Sequence, residues 1–400
     1  MSGYPQSTNR FCGIILFIFV AGRLAIDLYL PSLPALVAMQ GASRFMAQAT
    51  LLAFFLGFAS LQVILSILSD HYGRRPMLQA AAAIYVLGSL LAVFSTNMMW
   101  FVVARFIQGC GVGALYTLAR VVLRDRFLGQ SLAGIFSLMA GVTYLVPALA
   151  PLAGAAIQVN FGVMMNFIVI LAVSVAVYIA VWRLPETLVA ASVSPLRMRR
   201  IIGQFQILAW HRVFVLNIFY AGLGLAVVVV CAAVHPFLFQ KVFHFTPVTY
   251  AWVSLGMNLG LVGSFFLSRV LLAVMSARQV IFAGFMCILI AAVCLVMATA
   301  FGKVSAATVI IPSVLATFAV GFIIPNAEAR VFHEYTHMLG VVGAFYSLLH
   351  VSLSAFIGFA IALMPIENAF SLAVALLMIS IIGLLAFYWE TQGVEQPFDA

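Results

Sequence analysis

The sequence predicts an all-α integral membrane protein with twelve transmembrane helices in two halves of six. Of its 400 residues, 65% are hydrophobic and only 7% are charged, whereas a soluble domain carries roughly 25% charged residues. The apolar residues form runs of about 18 to 25, the length of a helix that crosses the hydrocarbon core of a bilayer. The alternation typical of barrel strands is absent.

The apolar runs lie between charged residues and Pro or Gly punctuation. The predicted spans are 11–36, 45–69, 77–96, 99–122, 131–157, 162–183, 212–238, 247–270, 278–300, 304–327, 338–363 and 368–389. Five scattered cysteines lie in these runs without paired spacing, which is typical of small buried residues rather than disulfides or a metal site.

The distribution of Arg and Lys predicts the orientation. Fourteen of the nineteen fall on one side of the span pattern and three on the other. The first group is Arg10, Arg74, Arg75, Arg120, Arg124, Arg126, Arg183, Arg197, Arg199, Arg200, Arg212, Arg269, Arg278 and Arg330; the second is Arg44, Lys241 and Lys303. The positive-inside rule then places both termini in the cytoplasm. The same rule explains the net charge of +9 by membrane topology and contact with lipid headgroups, so we expect no nucleic-acid partner.

A more polar segment divides the chain. We predict an N-terminal six-helix bundle over 1–184, a cytoplasmic linker over 185–211, and a C-terminal six-helix bundle with a short cytoplasmic tail over 212–400. The basic linker suggests a helix that lies on the inner leaflet. Two such halves favour a substrate site near the bilayer midplane.

Three charged residues lie well within predicted spans, away from the span ends: Arg23, Asp27 and Arg105. A charge at the centre of a bilayer costs roughly 2.5 to 3.5 kcal/mol on insertion scales, so Asp27 is a candidate functional carboxylate. Arg23 lies four residues before it on the same helical face, and Arg105, in the fourth span, can approach it across the bundle. If the Arg partner turns away, burial disfavours the charged carboxylate, which predicts a proton switch. The alternative is a static Arg23–Asp27 pair.

Four segments resemble one family. LSDHYGRRP at 68–76 resembles the cytoplasmic loop signature of the major facilitator superfamily, and IDLYLPSLP at 26–34 resembles the first helix of its Bcr/CflA drug-efflux branch. RFIQGCGVGALYTLARVVLRDRF at 105–127 resembles the fourth helix of that branch, and VPALAPLAGA at 146–155 resembles its antiporter-associated fifth-helix motif.

The resemblance implies the major facilitator fold, with two pseudo-symmetric halves, and a secondary transporter that works by alternating access. It implies an inward-facing Asp and Arg near the site, and our hypothesis is that these are Asp27 and Arg105 and that they couple transport to protons. It further implies a cytoplasmic gating loop (Asp70, Gly73, Arg74 and Arg75) and a helix-five motif (Pro147, Pro151 and Gly154).

Arg23 favours a second class of cargo. It is not expected at this point of the branch's first helix, and Phe19 stands where some multidrug members carry an acid. A permanent Arg beside the site favours an anionic or zwitterionic cargo, such as a specific metabolite or a siderophore.

Polar and aromatic residues inside the spans are candidates for the substrate cavity, because ligand sites are apolar pockets with a few polar groups. For each residue singly, an interhelical hydrogen bond is an equal alternative. The candidates are Arg23, Tyr29, Gln62, Tyr116, Tyr144, Asn217, Tyr220 and Asn258.

One motif points to another chemistry. His333-Glu334-Tyr335-Thr336-His337 fits H-E-x-x-H, in which two His bind zinc and Glu acts as a base. We place it in a short cytoplasmic connection, where Pro325 and the charged residues after it suggest a loop and the start of a helix, and no third ligand is evident. A zinc protease is therefore a remote alternative.

The prediction as a whole is a proton-coupled exporter of drug-like small molecules in the inner membrane, not an enzyme. We expect a small-molecule substrate, contact with membrane lipid, a monomer, the proton as coupling ion, no other cofactor and no metal.

Overall fold

The computed structural model describes residues 5–127, 129–188, 198–334, 339–364 and 369–392, and the elements in them are helices. The chain forms two compact units, Met1–Arg200 and Ile201–Ala400. In the first unit the helices are α1 Pro5–Asp27, α2 Leu33–Gln40, α3 Arg44–Tyr72, α4 Arg74–Phe94, α5 Met98–Arg126, α6 Gly129–Phe161 and α7 Val163–Val181.

Helix α8, Met198–Trp210, lies in the basic segment between the two sets of spans. The second unit continues with α9 Arg212–Phe237, α10 Pro247–Leu271, α11 Ala277–Ala300, α12 Ala306–Glu334, α13 Leu339–Ala362 and α14 Phe370–Gln392. Among the described residues, eleven helical segments are long and apolar enough to cross a membrane, and the predicted span 338–363 corresponds to α13.

Side-chain caps explain where several spans begin. The side chains of Ser43, Asn97 and Thr246 accept hydrogen bonds from backbone N–H groups in the first turns of α3, α5 and α10. Ser276 and Gln279 form a capping box at the start of α11. Each cap satisfies N–H groups that have no partner within the helix.

The first predicted span, 11–36, is wrong as one continuous helix. Helix α1 ends at Asp27, a 3-10 turn covers Leu30–Ser32, and α2 begins at Leu33. Pro31 and Pro34 each occupy an early position of the element they enter. A proline there starts a new helix readily but removes an N–H donor that a continuous helix needs. Asp27 therefore ends a helix inside the predicted span.

The loop and helix start predicted at Pro325 and the charged residues after it are also wrong, because one helix continues through them. Helix α12 includes Pro312 and Pro325 and runs to Glu334. His333 and Glu334 thus end a long helix, and prolines within membrane helices are tolerated where neighbours satisfy the freed backbone groups.

Close packing of α3 on α5 positions the buried arginine of the first unit. A Cβ atom added at Gly109 or Gly113 would lie 2.1 Å from the carbonyl oxygen of Phe54 or Phe58, respectively. Arg105, Gly109 and Gly113 recur every four residues, so they form one stripe of α5 that faces α3.

Candidate functional site

Asp27 lies at the break in the first span. The residue is only 6% exposed, and its Oδ2 atom lies 3.4 Å from Arg23 Nη2, one helical turn earlier. Within the described residues Oδ2 has no hydrogen-bond partner. Because Asp27 is the last residue of α1, it also faces the negative end of the helix dipole, which favours a cation there. The buried carboxylate thus has one loose ion-pair partner.

Arg105 is fully buried and holds the end of α1 from the side. Its Nη2 donates to the carbonyl oxygen of Ala25 at 3.0 Å, and its Nη1 donates to Gln108 Oε1. Its guanidinium carbon lies 4.4 Å from the ring centroid of Tyr29 and 4.6 Å from that of Phe54. Arg105 thus supplies a cation to the carbonyl end of α1, while the ion pair that the structure shows for Asp27 is with Arg23.

Helices α4 and α5 fix this arginine through a polar chain. Gln108 Nε2 donates to Ser89 Oγ at 2.8 Å. Tyr85, one turn before Ser89, donates from its hydroxyl to the carbonyl oxygen of Ala21 at 3.2 Å. The last turns of α1 therefore rest on side chains of two neighbouring helices, and the Arg105 position depends on all of them.

A second polar group lies just beyond the break. Asn166 Nδ2 donates to Ser32 Oγ at 2.7 Å and to the Gly154 carbonyl oxygen at 3.1 Å. Ser32 in turn donates to Gln158 Oε1 at 3.0 Å. A Cβ at Gly154 would lie 1.7 Å from the carbonyl oxygen of Leu28, so only glycine permits this approach of the break to α6. The predicted helix-five residues Pro147, Pro151 and Gly154 all lie in α6.

The predicted gating loop forms an ion-pair cluster at the junction of α3 and α4. Arg74 pairs with Asp70 and, through Nε, with Asp125 Oδ2 at 3.0 Å. Arg75 Nη2 donates to the carbonyl oxygen of Trp182 at 2.7 Å. Gly73 makes the turn with φ 103°, a conformation that favours glycine.

Glu186 locks this loop to the segment after α7. Its two carboxylate oxygens accept hydrogen bonds from the backbone N–H groups of Arg74, Arg75, Thr187 and Leu188 at 2.9 to 3.0 Å. Partial burial raises the pKa of the Glu186 carboxyl, but the four donors outweigh it and hold the pKa below its ordinary value. An acid at the N-terminus of α4 is also favoured by the helix dipole.

The other predicted cavity residues fall in both units, and the contacts of each lie within its own unit. The Tyr29 hydroxyl oxygen forms a hydrogen bond with Thr50 Oγ1 at 3.4 Å, and Gln62 Oε1 accepts a hydrogen bond from the Thr117 hydroxyl. The Tyr116 ring meets Phe19 edge-on, with centroids 4.4 Å apart. These contacts all lie within the first unit.

Of the remaining four candidates, Tyr144 lies in the first unit and Asn217, Tyr220 and Asn258 lie in the second. Tyr144 is partly exposed on α6. Asn217 and Asn258 each donate to a carbonyl of their own helix, while Tyr220 donates to Glu390 at 2.9 Å. Of the H-E-x-x-H motif, Tyr335, Thr336 and His337 lie outside the described residues.

Sequence reasoning missed Glu186 and Glu390 as structural anchors. Each belongs to an acid–threonine pair at the end of the last span of its half, Glu186-Thr187 and Glu390-Thr391. This recurrence is a signal that the sequence contains. Asn166, which joins the break to α6 and α7, is by contrast a polar residue within a predicted span, which makes it a candidate from the sequence alone.

Comparison with known proteins gives four findings. Residues 15–359 match the family model of the Major Facilitator Superfamily. The uncharacterized MFS-type transporter YdgK of Bacillus subtilis (strain 168) is 26% identical over 379 residues, 93% of each chain. The multidrug resistance protein MdtL of Klebsiella pneumoniae subsp. pneumoniae is 26% identical over 382 residues, 92% of this chain and 95% of that one. A crystal structure of a D-xylose-proton symporter shares the fold with a TM-score of 0.76 at 13% identity, covering 97% of both chains.

Proposed function

Since the chain belongs to the major facilitator superfamily and is a multi-pass membrane transporter, we propose that it exports drug-like small molecules in exchange for protons by alternating access. The relatives named as multidrug resistance proteins support the cargo class. The inner membrane, with both termini in the cytoplasm, is part of the same proposal and rests on the arginine distribution.

The observation that carries the proton coupling is the state of Asp27. A carboxylate that is 94% buried and has an oxygen without a hydrogen-bond partner is costly as an anion. A proton or a cationic group removes that cost. The residue therefore has the properties of a carrier that is alternately protonated and occupied by cargo.

Arg23 and Arg105 have different parts in this proposal. Arg105 is fixed by Gln108 and the Ala25 carbonyl, so it is a permanent cation that holds the end of α1. The Arg23 side chain is 25% exposed and only loosely paired with Asp27. We assign the mobile partner role to Arg23, since a loose, partly exposed pair is exchanged most readily.

The break at Asp27 is the element on which these changes act. The chain between Asp27 and Leu33 has backbone groups that a continuous helix would satisfy internally. Asn166 contacts the break through the Ser32 hydroxyl and contacts α6 through the Gly154 carbonyl oxygen. A change in the charge of Asp27 is thus transmitted to helices α6 and α7 through contacts already made at the break.

A second candidate function is export of a specific anionic or zwitterionic metabolite or a siderophore. Arg23 favours it, because its partly exposed guanidinium stands beside the buried acid. A cargo carboxylate would pair with Arg23 and leave Asp27 to a proton.

A flux assay in inverted membrane vesicles tests the proposal. Lipophilic cations, zwitterions and siderophores are offered with and without an imposed pH gradient. We expect uptake of at least one drug-like cation that collapses with the gradient. Uptake restricted to siderophores or zwitterions would select the second candidate, and gradient-independent uptake of every compound would contradict proton coupling.

A further inference from the structure

A cluster of arginines surrounds one acid at the end of the second unit where α9 and α11 begin and α12 and α14 end. Arg212 opens α9, Arg278 lies in the first turn of α11, and Arg330 lies near the end of α12. Glu390 lies near the end of α14 and is only 7% exposed.

Glu390 uses both of its oxygens on its immediate partners. Oε1 accepts from Arg330 Nη2 at 2.6 Å, and Oε2 accepts from the Tyr220 hydroxyl at 2.9 Å. Arg278 Nε stands 3.7 Å from Oε2, close enough for an ion pair but too far for a hydrogen bond. Arg212 donates to the neighbouring carbonyl oxygen of Trp389.

Several guanidinium donors remain unused. Arg278 Nε and Nη2, Arg330 Nη1 and Arg212 Nε are buried and have no hydrogen-bond partner within the part of the chain that the structure describes. Buried donors are almost always satisfied in native proteins. Among the described residues, one carboxylate set against three guanidinium groups leaves an excess of positive charge, so the missing acceptor is an anion.

The surroundings indicate which anion. The Arg212 guanidinium carbon lies 4.3 Å from the Trp389 ring centroid, and that of Arg278 lies 4.8 Å from the Phe387 centroid. Trp210, Tyr388 and Trp389 are exposed at the same end. Exposed Trp and Tyr mark the level of lipid headgroups in membrane proteins.

We propose that Arg212, Arg278 and Arg330 bind the phosphate of an anionic phospholipid headgroup. A guanidinium fork matches phosphate oxygens, and basic pockets between transmembrane helices on the cytoplasmic side hold anionic headgroups. Free inorganic phosphate offers the same chemistry. The exposed aromatic rings beside the arginines favour the lipid as its source.

The test uses the purified, delipidated full chain titrated with short-chain phosphatidylglycerol, short-chain phosphatidylcholine or inorganic phosphate. Bound lipid is counted by native mass spectrometry, and thermal unfolding is followed in parallel. Arg278→Gln is the main variant because it leaves the Arg330 and Tyr220 bonds to Glu390 intact. Arg269→Gln, an exposed arginine at the end of α10, is the matched control.

We expect wild type to prefer phosphatidylglycerol to phosphatidylcholine, with the preference reduced roughly fivefold in Arg278→Gln and unchanged in Arg269→Gln. Arg278→Lys keeps the charge but not the guanidinium fork, so its preference for phosphatidylglycerol should fall less than that of Arg278→Gln. This variant also controls for folding. Equal losses in Arg278→Gln and Arg269→Gln, or no lipid preference in wild type, would overturn the site. Stabilisation by inorganic phosphate that matches that of the lipid would overturn the lipid as the source.

Discussion

Arg23 Nη2 lies 3.4 Å from Asp27 Oδ2 at the residue where helix α1 ends. The two charges share one helical face, yet the acid is buried and the Arg23 side chain is partly exposed. The pair is therefore asymmetric, because one partner is confined by packing while the other can leave toward solvent or cargo.

The first prediction concerns cargo charge. Arg23→Gln removes the exposed cation beside Asp27, so the ratio of cation flux to zwitterion flux should rise about fivefold, the equivalent of ~1 kcal/mol. Vesicle flux with matched cationic and zwitterionic probes measures it. Arg10→Gln, an exposed arginine on the same helix, should leave the ratio unchanged.

The second prediction concerns the buried arginine. Arg105→Lys keeps the charge but cannot reach Gln108 and the Ala25 carbonyl together, so the unfolding free energy should fall by about 2 kcal/mol. Transport should fall with it. Arg120→Lys on the same helix changes only a cation–π contact at 5.2 Å and should be near neutral in both thermal unfolding and flux. Equal effects of the two variants would contradict the role given to Arg105.

The third prediction separates packing from helix propensity at the break. Gly154→Ala places a methyl group against the Leu28 carbonyl oxygen and should cost about 1 to 3 kcal/mol by overpacking. Gly141→Ala on the same helix meets no atom within 4 Å, so it should stabilise slightly through helix propensity. Thermal unfolding in detergent distinguishes the two, and a harmless Gly154→Ala would contradict the close approach.

Particular residues show which parts of the fold could be predicted from the sequence. The apolar runs predict the spans, because the thickness of the bilayer determines the length of a membrane helix. Capping side chains determine where helices begin. The break at Asp27 does not follow from the apolar pattern, because the apolar run of the span 11–36 continues through Pro31 and Pro34. Pro325 shows the opposite case, because its sequence context suggests a loop and a helix start but the residue lies inside α12.

The candidate site could be predicted from the sequence only in part. Charge inside a span singled out Arg23, Asp27 and Arg105 without any tertiary information. Their partners, such as Gln108 and the Ala25 carbonyl, are polar groups of ordinary type whose importance comes from packing between helices. Sequence spacing does not encode that packing directly.

The fourth prediction is a pH-dependent one. The folded-state pKa of Glu186 lies below its ordinary value, so the stability that its carboxylate contributes is present above that ordinary value and is lost as pH falls through the folded pKa. Glu186→Gln should therefore lower the thermal midpoint at neutral pH, and its difference from wild type should shrink below about pH 4.5.

The control for this pH series is Glu328→Gln, which removes an equal charge from α12. Its difference from wild type should stay small across the same range. A Glu186→Gln deficit that grows on acidification would contradict the assigned sign.

The central claim is that Asp27 carries the coupled proton, and Asp27→Asn tests it most directly. The measurement is pH-gradient-driven flux in inverted vesicles, with thermal unfolding to establish that the variant is folded and Glu328→Gln as the carboxylate control. We expect Asp27→Asn to retain its fold and lose the gradient-dependent component of flux, while Glu328→Gln keeps it. Gradient-driven flux at the wild-type rate in Asp27→Asn would contradict the account.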